Sequence, residues 1–284
     1  MRTQPFGATG VAVPVLGQGT WQLPADEAGE RGALEALEAG VERGMTHLDT
    51  AEMYGRGRAE ELVGRLLARR PRGELFVVSK VLPSNASREG TRRACERSLR
   101  RLGAERLDVY LLHWRGSYPL EETMRALEDL VAAGKTRFVG VSNFDVDDLK
   151  EAQRALGRER IACNQVLYHL GARAAESELL PYCQREGIAL VAYSPFGSGD
   201  FPDERRPGGA LLARIGRAHG KSARQVALRF LLRSPGVFAI PKTARREHAE
   251  ENAAAADFDL SDDEVAAIDR AFPAPPAGTP LGSI

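Results

Sequence analysis

Short apolar runs rich in β-branched residues alternate along this chain with longer amphipathic segments. The apolar runs predict eight β-strands, at 15–17, 46–49, 75–79, 107–112, 136–141, 162–165, 188–193 and 237–240. The amphipathic segments predict helices at 30–43, 59–69, 88–102, 120–133, 146–156, 177–186, 222–232 and 246–255, with a further helix at 261–271. The order is therefore that of repeated strand–helix units.

Glycines punctuate this pattern, because several stand just after a helical segment and just before a strand, where helices commonly end. These are Gly44, Gly103, Gly134, Gly157 and Gly187. Parallel strands need crossover helices, so eight such units predict an α/β protein with a closed (β/α)8 TIM barrel. The 284 residues suit a barrel of about 250 residues. We expect one domain over residues 1–284.

Two segments lie outside the eight repeated units. Residues 5–13, with a turn at Ala8-Thr9-Gly10, predict a β-hairpin that plugs the bottom of the barrel. At the other end, Ser261 followed by Glu264 has the spacing of a capping box, which predicts the start of an extra C-terminal helix.

The competing architecture is an open, doubly wound sheet that binds a dinucleotide through a GxGxxG turn after its first strand. Gly17 and Gly19 begin such a pattern, but Gln22 stands where the third glycine belongs. The turn is incomplete, which favours the barrel.

Composition and charge exclude several classes of protein. Hydrophobic residues make up 43% of the chain, and 39 basic residues balance 39 acidic ones. This is typical of a folded domain and argues against a broad surface for nucleic acid or membrane. No apolar run reaches the length of a membrane span or resembles a secretory signal. The three cysteines form no CxxC pair, so we expect no metal site and a cytoplasmic location.

Polar residues that follow the predicted strands are the candidates for chemistry, because active sites of parallel barrels lie at the carboxyl ends of the strands. Asp49, Tyr54, Lys80 and His113 come from three successive strand ends. A lysine cation lowers the pKa of a tyrosine, which is about 10 in isolation, and an aspartate holds the lysine charged. A histidine orients a substrate oxygen. This set suits protonation of a carbonyl oxygen.

Each of these four residues also has an ordinary structural interpretation when it is taken alone. Asp49 is compatible with a cap, Tyr54 with a turn aromatic, Lys80 with a solvated edge charge and His113 with a structural histidine. The joint arrangement is what favours catalysis.

An ordered series of short motifs resembles the aldo-keto reductase family. The series spans roughly residues 15 to 260 and consists of LDTAEMYG at 48–55, SKV at 79–81, DVYLLHW at 108–114, GVSNF at 140–144, NQV at 164–166, AYSP at 192–195, IPKT at 240–243 and EN at 251–252. The resemblance implies a (β/α)8 barrel that transfers hydride from a reduced nicotinamide to an aldehyde or ketone. It implies Tyr54 as proton donor, Lys80 as its partner, Asp49 as support for Lys80, and His113 as the residue that orients the substrate.

The resemblance also implies cofactor-binding residues. Ser142, Asn143 and Gln165 would bind the nicotinamide amide, and Tyr193 would stack on the ring. The remaining expected cofactor residues are Gly19, Thr20 and Asp49 near the first loops, Ser194, Pro195 and Phe196 at the diphosphate, Ile240, Lys242 and Thr243 towards the adenosine 2′-phosphate, and Glu251 and Asn252 at the adenine. The ordinary alternatives are a loop cap at Ser142-Asn143 and a solvated basic patch from Lys242 to Arg246.

The chain departs from the family pattern at one phosphate-binding position, where His248 replaces the usual arginine. Histidine lacks the planar fork with which arginine binds phosphate. We therefore expect the preference for NADPH that the resemblance implies to be weakened by His248, with use of NADH as well left open. Arg245 compensates only if its loop bends inward, so we include Arg245 and His248 among the candidate cofactor residues.

The substrate pocket is expected to be aromatic and open. Trp21, Tyr54, Trp114 and Phe144 would line it beside His113, and the tail after residue 272 is short. Arg115 follows Trp114 where many relatives have proline. It would favour anionic substrates if it faces inward, but we expect it to face solvent.

Two other functional classes stay open at this point. One is a barrel lyase or aldolase that uses Lys80 as a Schiff-base amine. The other is a regulatory protein that binds NADPH and turns over slowly, as some relatives of the family do. For the reductase that the resemblance implies, we expect a small aldehyde or ketone as substrate, no nucleic-acid or membrane partner and, as is usual in the family, a monomer.

Overall fold

Eight parallel strands follow one another around one sheet in the order of the chain, and a two-stranded antiparallel hairpin precedes them. A computed structural model describes residues 1–24 and 26–284. The hairpin strands are β1 (Thr3–Pro5) and β2 (Ala12–Pro14). The sheet consists of β3 (Gln18–Gly19), β4 (His47–Asp49), β5 (Phe76–Val81), β6 (Leu107–Leu112), β7 (Thr136–Ser142), β8 (Ile161–Leu167), β9 (Ala189–Tyr193) and β10 (Val237–Ala239).

Helices connect the strands and cover the outside of the sheet. They are α1 (Glu27–Glu42), α2 (Arg58–Leu67), α3 (Arg88–Leu102), α4 (Leu120–Ala132), α5 (Val146–Ala155), α6 (Leu179–Glu186), α7 (Pro207–His219), α8 (Ala223–Leu231), α9 (Arg246–Ala253) and α10 (Asp262–Ala271). None of the helices described is long and apolar enough to cross a membrane.

The sheet closes on itself at a seam between the first and last strands. Leu16 forms a parallel bridge with Ala239, and the amide of Gly17 donates to the carbonyl of Ala239 at 2.8 Å. The amide of Ala239 in turn donates to the carbonyl of Val15 at 2.9 Å. The predicted (β/α)8 barrel is confirmed.

The first strand lies later in the chain than the predicted 15–17. Residues 15–17 hydrogen-bond across the seam to Ala239, whereas β3, at Gln18–Gly19, pairs with β4. The extended segment thus divides its hydrogen bonds between two neighbours.

Helix α7 has no counterpart among the predicted elements. Gly208, Gly209 and Gly216 lie within it, and glycine has a low helix propensity. Gly209 is required by packing, because a Cβ there would lie 2.1 Å from the carbonyl oxygen of Asp203.

The N-terminal hairpin plugs the bottom of the barrel, as predicted. Phe6 is fully buried, and its ring lies 4.9 Å from that of Phe76 and 5.0 Å from that of Phe238. The amide of Ala8 donates to the carbonyl of Gly187 at 2.7 Å, which fixes the turn against the barrel. The apolar side chain therefore closes the end of the barrel opposite the candidate site.

The predicted C-terminal helix is present as α10. The hydroxyl of Ser261 accepts from the amide of Glu264, whose carboxylate accepts from the amide of Ser261 at 2.8 Å. This reciprocal capping box satisfies two of the free amides at the start of the helix.

Candidate active site

Alternation along the strands places a ring of polar side chains directly above the apolar interior of the barrel. Neighbouring side chains in a strand point to opposite faces, so residues two apart share a face. Val78, Leu111 and Cys163 belong to the interior cluster, and Lys80, His113 and Gln165 each follow two positions later. The side chains that point into the barrel thus change from apolar to polar at the carboxyl ends of the strands.

Close packing beneath this ring depends on Gly140 of β7. A Cβ at this position would lie 2.5 Å from Cδ2 of Leu111 and 2.9 Å from Sγ of Cys163. Only glycine lets these neighbouring strands approach with their interior side chains in place, so any larger residue would disturb the support of the polar ring.

Lys80 is the centre of a buried hydrogen-bond network. Its Nζ donates to Oδ1 of Asp49 at 2.6 Å, to the carbonyl of Thr50 at 2.8 Å and to the hydroxyl of Tyr54 at 3.2 Å. The side chains of Lys80 and Asp49 are 0% and 1% exposed. An ammonium group has three N–H donors, so all of those on Lys80 are used.

The charge of Lys80 is secured by its partners. Burial alone lowers the pKa of Lys80, but the charge of Asp49 and the bonds to Asp49 and Tyr54 outweigh it and raise the pKa above its usual value. A Schiff base requires a neutral, accessible amine. The fully bonded cation therefore argues against the lyase or aldolase alternative.

The predicted lowering of the Tyr54 pKa is not the net effect in the structure. Burial raises the pKa of Tyr54 above its ordinary value, while the charge and hydrogen bond of Lys80 act in the opposite direction. The sequence showed the lysine but not the depth of burial. The phenol is consequently protonated at neutral pH, as a proton donor must be.

His113 lies beside Tyr54 as a neutral ring. Its Nε2 is 3.5 Å from the Tyr54 hydroxyl, and its Nδ1 is buried without a hydrogen-bond partner. Burial, together with the charge of Lys80, lowers the pKa of His113 to about 2. The imidazole can therefore orient a substrate oxygen but is not charged enough to supply a proton near neutral pH.

A cavity of about 410 Å³ opens over Tyr54 and His113. Its wall contains these predicted site residues: Gly19, Thr20, Trp21, Asp49, Tyr54, His113, Trp114, Ser142, Asn143, Gln165, Tyr193, Ser194, Pro195, Phe196, Ile240 and Lys242. The structure thus brings residues from distant parts of the sequence to one pocket.

The expected nicotinamide residues form a connected set on this wall. The hydroxyl of Tyr193 donates to Oδ1 of Asn143 at 2.8 Å, and the hydroxyl of Ser142 donates to the carbonyl of Gln165 at 2.8 Å. Nε2 of Gln165 donates to Oδ2 of Asp49 at 2.7 Å. Asp49 therefore links this set to Lys80 through its other oxygen.

Backbone strain is concentrated at the cavity. Of the described residues other than glycine, those with positive φ are Gln22, Arg56, Asn143, Ser194 and Ser198. All except Arg56 line the cavity. Such conformations cost of order 1–3 kcal/mol each and cluster at functional sites, so this distribution supports a functional pocket.

Several predicted cofactor residues lie outside this cavity wall, in the segment after β10. The hydroxyl of Thr243 accepts from the amide of Arg245 at 3.0 Å, and His248 is exposed on α9. The carboxylate of Glu251 accepts from the hydroxyl of Ser222, and Asn252 is buried. Their roles at the adenosine end stay predictions.

The proposed inward turn of Arg245 is not seen. Its side chain is 69% exposed, and its Nε lies 3.9 Å from Oε2 of Glu247. Compensation for His248 by an inward Arg245 therefore has no support in the structure.

Two expectations about the substrate pocket are settled by packing. Phe144 does not line the cavity, because Nδ2 of Asn164 donates to its carbonyl at 2.8 Å and its fully buried ring packs in the outer hydrophobic core. Arg115 turns away to Asp148 and Glu151, at 2.6 and 2.7 Å, as expected from the sequence.

Six residues of the cavity wall were not predicted: Gln22, Met53, Ser198, Gly199, Arg224 and Ile284. Met53 stands within the LDTAEMYG motif, but the resemblance assigns it no role, and no motif marks the other five. Ile284 lies in the tail, which folds back to the cavity, so the short tail does not leave the pocket uncovered. Arg224 lies on an amphipathic helix, and in the sequence a charged residue there is indistinguishable from an ordinary solvent-exposed one.

Comparison with known proteins defines the class of this barrel and its site. The family model for the Aldo/keto reductase family matches residues 15–272. Methylglyoxal reductase YeaE of Escherichia coli is 44% identical over 274 residues, which is 96% of each chain, and glyoxal reductase of Bacillus subtilis is 38% identical over 92% of this chain and 89% of its own. A crystal structure of an aldo-keto reductase from Klebsiella pneumoniae in complex with NADPH superposes with a TM-score of 0.93 at 42% identity over all of both chains.

The chain therefore belongs to the aldo/keto reductase family, as its motifs predicted. It is an oxidoreductase that reduces aldehydes or ketones with a nicotinamide cofactor.

Proposed function

We propose that this chain reduces small, uncharged carbonyl compounds, α-dicarbonyls in particular, with hydride from NADPH and a proton from Tyr54. The observation that carries the proposal is the Tyr54 hydroxyl on the cavity wall, 3.2 Å from Lys80 Nζ and beside the Ser142, Asn143 and Gln165 set. The names of the relatives at 44% and 38% identity, a methylglyoxal and a glyoxal reductase, support dicarbonyl substrates.

Proton transfer follows from the charges around Tyr54. When bound, NADPH supplies the hydride. Negative charge then develops on the substrate oxygen, and the Tyr54 hydroxyl donates its proton to that oxygen. The Lys80 cation stabilises the tyrosinate left behind, and Asp49 holds Lys80 in place. The neutral His113, with a proton on Nε2, donates a hydrogen bond that orients the same oxygen.

The cavity wall fits a nicotinamide dinucleotide. Asn143 and Gln165 carry both donors and acceptors, as binding of a carboxamide requires, and Tyr193 offers a ring for stacking. Burial lowers the pKa of Lys242, and no carboxylate among the described residues pairs with it. An unpaired cation on the cavity wall suits the phosphate groups of NADPH.

The charge at the mouth favours neutral substrates. Arg115 is neutralised by Asp148 and Glu151, and the wall next to Tyr54 is formed by Trp21, Met53 and Trp114. A substrate carboxylate would find no free cation beside the reacting carbonyl in this part of the described wall, so its desolvation would be uncompensated.

We expect the enzyme to reduce diacetyl at least about 10-fold more efficiently than pyruvate, because the two differ in an acetyl group against a carboxylate and burial of an unpaired charge is costly. The measurement is kcat/KM with NADPH for both compounds, with methylglyoxal as the reference substrate. Equal or better use of pyruvate would contradict the assignment to uncharged substrates.

We further propose that the chain acts as a monomer in the cytoplasm, as one domain over residues 1–284. The cysteine usage supports this location.

A further inference from the structure

Arg224 contributes a cation to the cavity wall that no motif assigns to the cofactor. It stands in the first turn of α8 and lines the cavity together with Ser194, Ser198 and Gly199 of the loop after β9. Its guanidinium carbon lies 5.2 Å from the ring centroid of Phe196 and 4.4 Å from that of Phe201. The two rings are themselves in edge contact, with centroids 5.9 Å apart.

These aromatic contacts leave the hydrogen-bonding capacity of Arg224 available. A cation–π contact uses the face of an aromatic ring, whereas the five N–H donors of arginine project from the guanidinium edge. Within the described ranges, 1–24 and 26–284, Arg224 has neither an ion pair nor a hydrogen bond to another side chain. By contrast, Arg115 and Arg173 each bind two carboxylates.

The charge balance of the cavity points to an anionic ligand. Asp49 is the acidic residue of its described wall, and Lys80 neutralises it at 2.6 Å. Arg224 and Lys242 then remain as two cations without a carboxylate partner in the part of the chain that the structure describes. They have different neighbours, because Lys242 lies next to Gly19, while Arg224 packs on Phe196 and Phe201.

We propose that Arg224 binds the diphosphate of the nicotinamide dinucleotide, an inference that rests on the proposed function. The loop residues beside it, Ser194, Ser198 and Gly199, have φ of 48°, 52° and 116°, so that this segment curves around the cavity next to the guanidinium. Arginine matches phosphate oxygens through paired N–H bonds. Phe196 and Phe201 fix the plane of the guanidinium in advance, which lowers the entropy lost on binding.

This assignment gives Arg224 and Lys242 different signatures. NADPH and NADH share the diphosphate, so the contribution of Arg224 is the same for both cofactors. Lys242 is expected at the 2′-phosphate, which only NADPH carries. Loss of Arg224 therefore weakens both cofactors equally, and loss of Lys242 weakens NADPH alone.

The test is a fluorescence titration of NADPH and NADH against the wild type, Arg224→Met, Arg224→Lys and Lys242→Met. We expect Arg224→Met to raise both dissociation constants by a common factor of about 10 or more, as for loss of hydrogen bonds to a charged group. Methionine still covers the two phenylalanine rings, so a role in packing alone would leave binding unchanged. Arg224→Lys keeps the positive charge but lacks the planar fork of donors, so its dissociation constants should lie between those of the wild type and Arg224→Met.

Arg154→Met is the matched control, since this exposed arginine on α5 lies outside the cavity wall. Thermal unfolding of each variant confirms that it is folded. The inference is overturned if Arg224→Met binds both cofactors like the wild type, or if it weakens NADPH alone. Absence of binding by the wild type would instead overturn the proposed function, and this inference with it.

Discussion

Replacement of Tyr54 by phenylalanine will remove carbonyl reduction while NADPH still binds. The change deletes one oxygen, which lies 3.2 Å from Lys80 Nζ and 3.5 Å from His113 Nε2, and it keeps the ring packed with Ala51 and Ala59. General acid catalysis contributes about 10²–10⁴-fold to a rate, so kcat with methylglyoxal should fall by at least that lower factor. His113 lies beside the same oxygen, but its lowered pKa keeps the imidazole neutral, so it does not replace Tyr54 as the acid.

The measurement is kcat beside the dissociation constant of NADPH for wild type and Tyr54→Phe. Tyr118→Phe is the control, because this exposed tyrosine does not line the cavity and its loss should change neither quantity. Retention of the wild-type rate in Tyr54→Phe would remove Tyr54 from the mechanism.

The pH profile separates Tyr54 from His113 as the source of the proton. Since the pKa of Tyr54 is raised, the phenol stays protonated through neutral pH, and reduction should decline only as pH rises through that pKa. The pKa of His113 is lowered to about 2, so its titration should not appear between pH 6 and 9. A loss of rate as pH rises through about 6.5, the ordinary histidine pKa, would assign the proton to His113 instead.

The Asp49→Asn variant will lose both activity and stability. Asp49 and Lys80 form an ion pair that is sealed from solvent, and removal of one partner of such a pair costs about 3–5 kcal/mol. With the carboxylate gone, burial is left to lower the pKa of Lys80, and the cation that stabilises the tyrosinate is weakened. We expect a lower free energy of unfolding in urea together with a strongly reduced kcat.

The double variant Asp49→Asn with Lys80→Met separates the two effects. Removal of the uncompensated cation should restore part of the stability, because replacing a buried pair by uncharged groups is often close to neutral. It should not restore the rate, because Tyr54 then has no cation beside it. If the Asp49→Asn variant keeps wild-type stability and rate, the role assigned here to the Asp49–Lys80 ion pair is wrong.

The alternation of strands and helices was sufficient to predict the barrel. A local turn predicted its hairpin plug, and a capping-box spacing predicted the start of the extra C-terminal helix. Positions at strand ends also identified Asp49, Lys80 and His113, because a parallel barrel brings all its carboxyl ends to one mouth. These predictions depend on local periodicity and on topology, and both can be inferred from a sequence.

What the sequence did not show depends on the direction and depth of individual side chains. Phe144 follows a cavity residue in the chain, yet its backbone bonds to Asn164 turn its ring into the outer core. The pKa of Tyr54 reflects burial, which no motif records. Arg224 and Ile284 reach the cavity only through tertiary packing of α8 and the tail. Helix α7 was not predicted, because it contains glycines, which disfavour a helix in the sequence pattern; packing requires glycine at position 209.

The central claim is that hydride passes from the nicotinamide of NADPH to a carbonyl carbon in the cavity above Tyr54. The most direct measurement uses NADPH with deuterium at both C4 positions and follows methylglyoxal reduction by mass spectrometry and NMR. The account predicts one deuterium on the carbinol carbon of the product for each NADPH oxidised, with the hydroxyl proton drawn from solvent. An alcohol product without deuterium on that carbon would contradict it.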